Sequence, residues 1–356
     1  MRILIDIGHP GHVHLFRPFT EEMMKRGHII FFTCRQKEFE IELLKASSFD
    51  YKCFGRHYKS FSGKIWGLVK FNIQMIFITA KYKPDIFLSH GSIYAAQVAW
   101  LFGKPHISLE DSGNMEQIKF YLPFTKVVIT PDVLTVNLGI KQIRYKGYHE
   151  LAYLHPKYFS PRNSILTELG ITNDQEYAIL RFVSWKATHD KGHKGLDLVK
   201  KQELINYLIS KDLKIFISSE ADLPFEFREH QINISPNKIH HVLAFARIVI
   251  SEGATIASES GVLGTPTIYI NSIVRCYNED QEENYNTVAN FRTGNGVLKK
   301  VEHLLSEKKE IHQFNHQMLK DKIDVTAFFV WFVENYPESA RIMRKNPDYQ
   351  MNFMDH

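Results

Sequence analysis

Three histidines and two glycines follow the first predicted strand, in the run GHPGHVH at 8–14. Glycine allows a tight turn, and the N-terminus of a following helix offers free N–H groups to an anion. Histidine adds a hydrogen-bond donor or a base that titrates near neutrality. We therefore expect a substrate-binding loop with Gly8, His9, Gly11, His12 and His14 as its contacts. The alternatives are exposed histidines in an ordinary turn or a metal site. Because no carboxylate or cysteine lies nearby in the sequence, we expect no metal.

A second loop, at 251–266, runs from the end of a predicted strand into a helix. Gly253, Ala254 and Thr255 stand at the start of that helix, where backbone N–H groups and a hydroxyl can bind a pyrophosphate. Glu259 follows Thr255 by one helical turn on the same face, where a carboxylate can accept both hydroxyls of a ribose. The alternative is a capped helix with a solvated Glu259.

A third candidate segment, at 180–192, closes another predicted strand. Arg181 and Ser184 can bind phosphate oxygens, and arginine can do so with two parallel hydrogen bonds. Trp185 either stacks on a planar ligand or covers the edge of the domain. His189 is a ligand contact or an exposed residue.

Ser219, Glu220 and His240 follow or precede strands of the second half. They are expected at the rim of the site, where a nucleotide base can rest. His240 is equally compatible with a surface position at a helix N-terminus.

His90, Glu110 and Asp111 end two strands of the first half. These positions suit a carboxylate or base that acts on an acceptor. Glu110 and Asp111 are equally compatible with a pair that caps a helix.

The elements that position these residues alternate between short strands and amphipathic helices, which predicts βαβ units and parallel sheets. We expect an α/β fold with two Rossmann-like domains facing a cleft, where such folds bind ligands. The domains are predicted at 1–150 and 151–325, with a proline-containing linker at 146–162. A helical segment at 326–356 follows, and packing back on the first domain is one option for it. The strands are predicted at 2–7, 28–34, 84–90, 105–109, 126–130, 177–183, 213–218, 247–251 and 266–270, and the first helix at 15–26.

The bulk composition is that of an ordinary globular protein, with 356 residues, 44% hydrophobic and 23% charged. The net charge of +5 suits an anionic substrate or membrane surface and is far from a nucleic-acid-binding composition. Three scattered cysteines and the absence of a signal-like segment predict a cytoplasmic protein.

Two apolar segments leave a membrane role open. The run at 61–82 is aromatic and lysine-containing without an acid, and the run at 328–332 precedes Arg341, Arg344 and Lys345. Each is compatible with a helix on a membrane surface or with one that covers a sheet. No run of eighteen apolar residues occurs in the sequence, so neither segment is expected to span a bilayer.

With these residues in view, the sequence resembles the DUF354 family of the GT-B superfamily over most of its length. The likeness rests on IDIGHPGHVHLF at 5–16, SHGS at 89–92, YKGYHELAYLHP at 145–156, LRFVSWKATHDKGHKG at 180–195, ISSE at 217–220 and EGATIASESGVLGTP at 252–266. More distantly it is similar to UDP-GlcNAc 2-epimerases and to the MurG-type transferase.

In that transferase a glycine-rich loop ends in Gly-His-Val, which matches Gly11-His12-Val13, and a Gly-Ala-Thr…Glu run matches Gly253 to Glu259. The resemblance implies UDP-sugar binding by the second domain and makes His12 the best catalytic candidate. The chain departs from the transferase at Pro10. It also lacks the epimerases' Arg-Arg-Glu-Asn run, since Phe-Val-Ser follows Arg181.

The leading hypothesis is a glycosyltransferase that uses a nucleotide-sugar, UDP-linked, to extend a surface polysaccharide or a lipid-linked glycan. His12 is expected to be the general base, with Glu110 and Asp111 as alternates. The partners are the sugar donor, the glycan or lipid-linked acceptor and, as an open alternative, the inner face of the membrane; no cofactor is expected. An epimerase acting on the nucleotide-sugar and a non-catalytic binding protein are the other candidates.

Overall fold

The protein consists of two compact units. The structure, a computed structural model, describes residues 1–56, 58, 60–172, 175–183, 196–219, 222–307 and 314–354. Unit 1 contains Met1–Tyr153 and Asp321–His356, and unit 2 contains Leu154–Lys320. Each unit holds one sheet of parallel strands flanked by helices.

The elements of unit 1 alternate as the sequence predicts, with additional short strands. Up to the last strand of the sheet they are β1 (Arg2–Ile7), α1 (Pro10–Lys25), β2 (Ile29–Gln36), α2 (Glu40–Ala46), β3 (Tyr51–Arg56), α3 (Phe61–Tyr82), β4 (Ile86–His90), α4 (Ile93–Leu101), β5 (His106–Leu109), α5 (Met115–Tyr121), β6 (Val127–Pro131) and β7 (Gln142–Tyr145).

The seven strands described in unit 1 are ordered β3-β2-β1-β4-β5-β6-β7, all parallel. The chain builds outward from β1 in one direction and from β4 in the other. The crevice at the carboxyl ends of β1 and β4 is therefore the topological switch point, where open α/β sheets bind ligands. Strands β3 and β7 were not predicted.

The first helix begins earlier than predicted. It starts at Pro10, because His9 accepts a hydrogen bond from the Gly11 N–H and so caps the helix, and proline suits the first helical position. The expectation of a loop over 8–14 is therefore wrong: only Gly8 and His9 form the turn, and His12 and His14 belong to the helix.

Right-handed crossovers in opposite directions place helices on opposite faces of the first sheet. Helices α3, α4 and α5 pack side by side on one face. Their inner sides form a core with the sheet that includes Phe71, Met75, Phe87 and Val98. In the parts of the chain that the structure describes, no helix is both long and apolar enough to cross a membrane.

Unit 2 begins within a short helix and ends before the C-terminal helices of unit 1. Its elements, after α6 (Leu151–Leu154), are α7 (Ser164–Glu168), β8 (Tyr177–Phe182), α8 (Leu198–Ser210), β9 (Lys214–Ser219), α9 (Ile239–Phe245), β10 (Ile248–Ser251), α10 (Ala254–Val262), β11 (Thr267–Ile270), α11 (Cys276–Tyr285), β12 (Val288–Phe291), α12 (Val297–Ser306) and α13 (His316–Asp321). Helices α14 (Val325–Glu334) and α15 (Glu338–Lys345) complete unit 1, and α14 packs against α1.

The strands described in unit 2 form a second parallel sheet, ordered β12-β11-β10-β8-β9. Its switch point lies between β8 and β10. Beside it, the buried Glu252 carboxylate accepts hydrogen bonds from the N–H groups of Val183 (2.8 Å) and Leu196 (2.9 Å) and pairs with Lys201 Nζ at 3.0 Å. Two parallel-sheet units confirm the predicted α/β class.

Candidate functional site

Histidines from two elements meet at the switch point of unit 1. His9 and His12 follow β1, and His90 ends β4, the neighbouring strand. The His12 and His90 rings stack with centroids 4.6 Å apart, and the His9 and His12 rings lie 5.8 Å apart. All three side chains are half-buried, so they remain within reach of a ligand.

Backbone contacts select the tautomers of the first two histidines. The Gly8 N–H donates to Nδ1 of His12 (3.3 Å), and the Gly11 N–H donates to Nδ1 of His9 (3.1 Å). A backbone N–H can only donate, so the neutral rings carry their proton on Nε2. Burial lowers the pKa of His12 well below 6.5, and the charge of His90 lowers it further. At neutral pH His12 therefore presents an N–H donor, which does not favour the general-base role expected from the sequence.

His90 carries the opposite charge state because it is paired with Asp111. His90 Nε2 donates to Asp111 Oδ1 at 3.0 Å. Burial by itself would lower the pKa of His90, but the Asp111 carboxylate outweighs it and raises that pKa to about 9. Burial opposes ionisation of Asp111, yet the neighbouring His149 and His90 hold its pKa below the usual value. An imidazolium–carboxylate pair thus stands beside the neutral His12.

His149 is a member of this cluster that sequence reasoning missed. Its Nδ1 lies 3.6 Å from Asp111 Oδ2 and 3.4 Å from the Tyr145 hydroxyl. Its Nε2 is buried without a hydrogen-bond partner, and burial lowers its pKa to about 4. The available signal was a histidine shortly after a strand, but β7 is only four residues long and the segment was interpreted as a linker.

Glu110 and Asp111 have different surroundings although they are adjacent. Glu110 Oε1 accepts hydrogen bonds from the Ser112 N–H, the Ser112 hydroxyl and the Gly113 N–H, and Oε2 accepts one from the Tyr121 hydroxyl. Both oxygens hold the connection between β5 and α5, which favours a structural role for Glu110. The pair does not cap α5, because Asn114 does so.

His14 is separated from the other histidines. It lies buried within α1, and its ring stacks on that of Tyr153 with centroids 5.8 Å apart. The expected substrate contact by His14 has no support from this position.

A buried ion pair lies beneath the Gly8 turn. Arg35 Nη1 contacts both carboxylate oxygens of Asp6 at 2.6 Å, and a Cβ on Gly8 would lie 3.3 Å from Arg35 Nη2. Glycine at position 8 allows this close approach. The guanidinium also adds positive charge near His12 and thereby contributes to its low pKa.

The candidate nucleotide site of unit 2 lies at the start of α10. Gly253 is the N-cap residue and has no side-chain cap, and residues Gly253, Ala254 and Thr255 are half-buried. The free N–H groups of such a helix end suit a phosphate. Arg181 is the second-last residue of β8, beside Ser251, and its Nη1 donates to Ser218 Oγ at 2.9 Å.

Glu259 is buried in α10, so the alternative of a solvated Glu259 is wrong. His240 Nε2 lies 3.0 Å from Glu259 Oε1, and both side chains are about 3% exposed. The alternative of a surface position for His240 is wrong for the same reason. Ser219 ends β9, opposite Phe182. The remaining expected contacts, Ser184, Trp185, His189 and Glu220, lie outside the described residues.

The two sites offer histidines paired with the carboxylates Asp111 and Glu259, together with Arg181 and a helix N-terminus. Among the described residues, no group of three or more His, Cys, Asp or Glu side chains is arranged to hold a metal ion.

Solved structures place the fold in the GT-B class. The MnaA–UDP complex of S. aureus is 12% identical with a TM-score of 0.69, covering 95% of this chain and 97% of that one. The UDP-GlcNAc 2-epimerase from Neisseria meningitidis bound to UDP-GlcNAc is 13% identical with a TM-score of 0.64, covering 94% and 100%. The glycosyltransferase SsfS6 of Streptomyces sp. SF2575, complexed with thymidine diphosphate, is 12% identical with a TM-score of 0.60, covering 94% and 99%.

Within that class, the chain belongs to the family described as "Protein of unknown function (DUF354)", whose model matches residues 1–325. The resemblance stated from the sequence motifs is thereby confirmed. A comparison with curated proteins finds no significant match.

Proposed function

We propose that the protein is a glycosyltransferase that takes its sugar from a nucleotide-sugar, UDP-linked, and extends a surface polysaccharide or a lipid-linked glycan. The observation that carries the proposal is the half-buried His12–His90–Asp111 cluster at the switch point of unit 1. It is supported by a GT-B fold whose solved neighbours include UDP and UDP-GlcNAc complexes.

Unit 2 is proposed to bind the nucleotide. The N–H groups of Ala254 and Thr255 and the Arg181 guanidinium are all donors at one sheet edge, which suits a diphosphate. The Gly253 N–H already donates to Ser251 Oγ at 3.0 Å. Glu259 is proposed to accept hydrogen bonds from the ribose. Since His240 Nε2 lies 3.0 Å from Glu259 Oε1, it would fix the orientation of the carboxylate.

Unit 1 is proposed to supply the proton chemistry. In sugar transfer, the acceptor oxygen bonds to the sugar C1 while the bond from C1 to the diphosphate oxygen breaks, and the acceptor proton must go to a base. We assign that base to the neutral form of His90, whose basicity Asp111 raises. The Nε2–H of His12 is assigned to stabilise developing negative charge.

An epimerase is the second candidate, because solved UDP-GlcNAc 2-epimerases match nearly the whole chain. An epimerase needs carboxylates on the sugar side. The oxygens of Glu110 are occupied by the β5–α5 connection, and Asp111 is paired with His90. These contacts favour the transferase.

The test is calorimetric titration with UDP, GDP, CMP and their common sugar conjugates. Glu259→Gln is the informative variant, because alanine would leave His240 buried beside a cavity and confuse binding with stability. We expect one UDP-sugar to bind the wild type and the variant to bind it at least about ten-fold more weakly. Glu176→Gln is the control, since Glu176 pairs with Arg247 at the amino end of β8, away from the site.

Binding of no nucleotide by the folded wild type contradicts the proposal. If UDP-GlcNAc alone is converted to its C2 epimer, without an acceptor, the epimerase replaces the transferase. Product analysis by NMR separates these outcomes.

A further inference from the structure

The 22-residue helix α3 buries one face and exposes an apolar one. Ile65, Trp66, Val69, Ile73 and Phe77 are all exposed, Trp66 by 60% and Phe77 by 70%. At 3.6 residues per turn these five positions fall within an arc of roughly 120°. The sequence left open whether this helix covers the sheet or touches a membrane. In the structure its inner face covers the sheet, which leaves the outer face available.

The two neighbouring helices extend this apolar surface. At the end of α4, Trp100 (60%) and Leu101 (59%) are exposed, and on α5 Phe120 is 62% exposed. Asn72 Nδ2 of α3 donates to Gln97 Oε1 of α4 at 2.8 Å, so the exposed sides of these two helices adjoin. We call the surface formed by α3, α4 and α5 the aromatic face.

Positive charge accompanies the aromatic face. Among the residues whose exposure is described, the exposed lysines on or next to these helices are Lys81, Lys83, Lys119 and Lys126. Between positions 65 and 126 the exposed acids are Asp85 and Glu116, and Asp85 accepts a hydrogen bond from the Arg2 N–H at 2.7 Å. The other two carboxylates in this range, Glu110 and Asp111, belong to the site at the carboxyl edge.

We propose that the aromatic face binds the surface of a membrane that contains anionic lipids. Tryptophan and phenylalanine on a helix lying in the interface bury apolar area among the acyl chains, and lysines at its border contact the headgroups. Each lysine near an anionic surface strengthens binding roughly five-fold. A protein partner would require complementary acids, and a second copy would bring the same lysines together. Charge therefore favours the bilayer over self-association.

The test is co-sedimentation of the full chain with vesicles of phosphatidylcholine, alone or mixed with phosphatidylglycerol. We expect binding to the mixed vesicles, weakened by salt. Trp66→Gln combined with Phe77→Gln is expected to weaken it by at least roughly ten-fold. Lys81→Gln combined with Lys119→Gln is expected to weaken it roughly twenty-five-fold on mixed vesicles and to have little effect on neutral ones.

Two controls keep the result specific. Phe225→Gln removes an aromatic residue of unit 2 that is 84% exposed, and Lys211→Gln with Lys299→Gln removes two exposed lysines of the same unit. All variants change exposed side chains, so unchanged thermal unfolding is the check on folding.

Full binding by the Trp66/Phe77 variant, or no binding by the wild type, overturns the proposal. So does a wild-type dimer in solution that the same variant abolishes. Nucleotide titration of these variants reports on the proposed function separately.

Discussion

At the residue scale, two stacked histidines hold different protonation states. His12 is kept neutral by burial and the His90 charge, whereas Asp111 keeps His90 charged. Neighbouring groups whose pKa values are pushed apart are the usual arrangement for separate acid, base and donor roles. The Asp111 carboxylate is the main cause of this difference in pKa between His12 and His90. Removal of the carboxylate should therefore abolish the difference.

We predict that Asp111→Asn lowers the pKa of His90 from about 9 to below 6.5, because burial is then opposed only by the weaker effects that remain, among them the Glu110 charge. NMR titration of the histidine ring signals measures this directly. If His90 is the base, the transfer rate of the wild type rises with pH up to about 9. The same profile for Asp111→Asn should level off at lower pH, with a maximal rate roughly a hundred-fold lower.

Asp348→Asn is the matched control, because Asp348 is an exposed carboxylate of the same unit. A wild-type His90 that titrates at or below 6.5 shows that the imidazolium pair does not form and removes the basis of this prediction.

The sequence predicts those parts of the site that depend on residues close together in the chain, and it misses those that depend on distant contacts. The sequence places His9, His12, His90 and Asp111 after strands, and adjacent parallel strands bring such positions together. The burial of Glu259 depends on His240, 19 positions earlier, and nothing in the local pattern marks that pair. The tautomer of His12 depends on a backbone contact to Gly8, which a composition or spacing rule does not describe.

At the element scale, the position of α10 is set by a glycine contact at its far end. A Cβ on Gly261 would overlap Gln281 Oε1 and lie 2.7 Å from Val288 Cγ2, so α10 approaches α11 and β12 closely. Gln281 Nε2 also donates to Ser258 Oγ at 2.7 Å. These contacts fix where the N-terminal N–H groups of the helix lie.

We predict that two glycine-to-alanine changes in α10 affect different properties, one the stability of unit 2 and the other nucleotide binding. Gly261→Ala should destabilise unit 2 by about 1–3 kcal/mol, because the added methyl group overpacks the contact with α11. Gly253→Ala should leave stability nearly unchanged, since its nearest atoms would be 3.6 Å and 3.8 Å away, but should weaken nucleotide binding by obstructing the approach to the helix end. Thermal unfolding and titration calorimetry measure the two effects. Equal loss of stability in both variants contradicts the packing explanation.

The sequence predicts long helices with a regular apolar pattern correctly. It misses short strands, which form because they pair with neighbouring strands. The apolar run at 61–82 is long, and the helix that it predicts has the bounds of α3 in the structure. Strands β3 and β7, of six and four residues, are the edges of the first sheet and carry weak patterns. The sequence predicts a start of α1 five residues too late, because histidine is an uncommon N-cap and the run of glycine, proline and histidine resembles a loop.

At the scale of the whole molecule, the buried histidines make stability depend on pH. Burial lowers the pKa of His106 to about 3 and that of His149 to about 4, while the Asp111 charge overcomes burial and raises that of His90 to about 9. A histidine with a lowered folded pKa contributes stability above its unfolded value near 6.5, and that contribution is lost as pH falls towards the folded value. A histidine with a raised folded pKa contributes fully below 6.5, and its contribution is lost as pH rises through the folded value.

We therefore predict that unit 1 loses stability on acidification from about pH 6.5, by about 2 kcal/mol at about pH 5 for each of His106 and His149. It should also lose stability on raising the pH through about 9, where His90 gives up its proton. Thermal unfolding across this pH range measures the loss of stability at the acid end (the acid limb) and at the basic end (the basic limb).

His149→Gln should flatten the acid limb by the contribution of one histidine. His303→Gln, which replaces an exposed histidine of unit 2, should leave the acid limb unchanged. An acid limb that is the same in the wild type and in His149→Gln shows that His149 is not held neutral. The basic limb should disappear in Asp111→Asn, because the same carboxylate that charges His90 links the chemistry of the site to the stability of the unit.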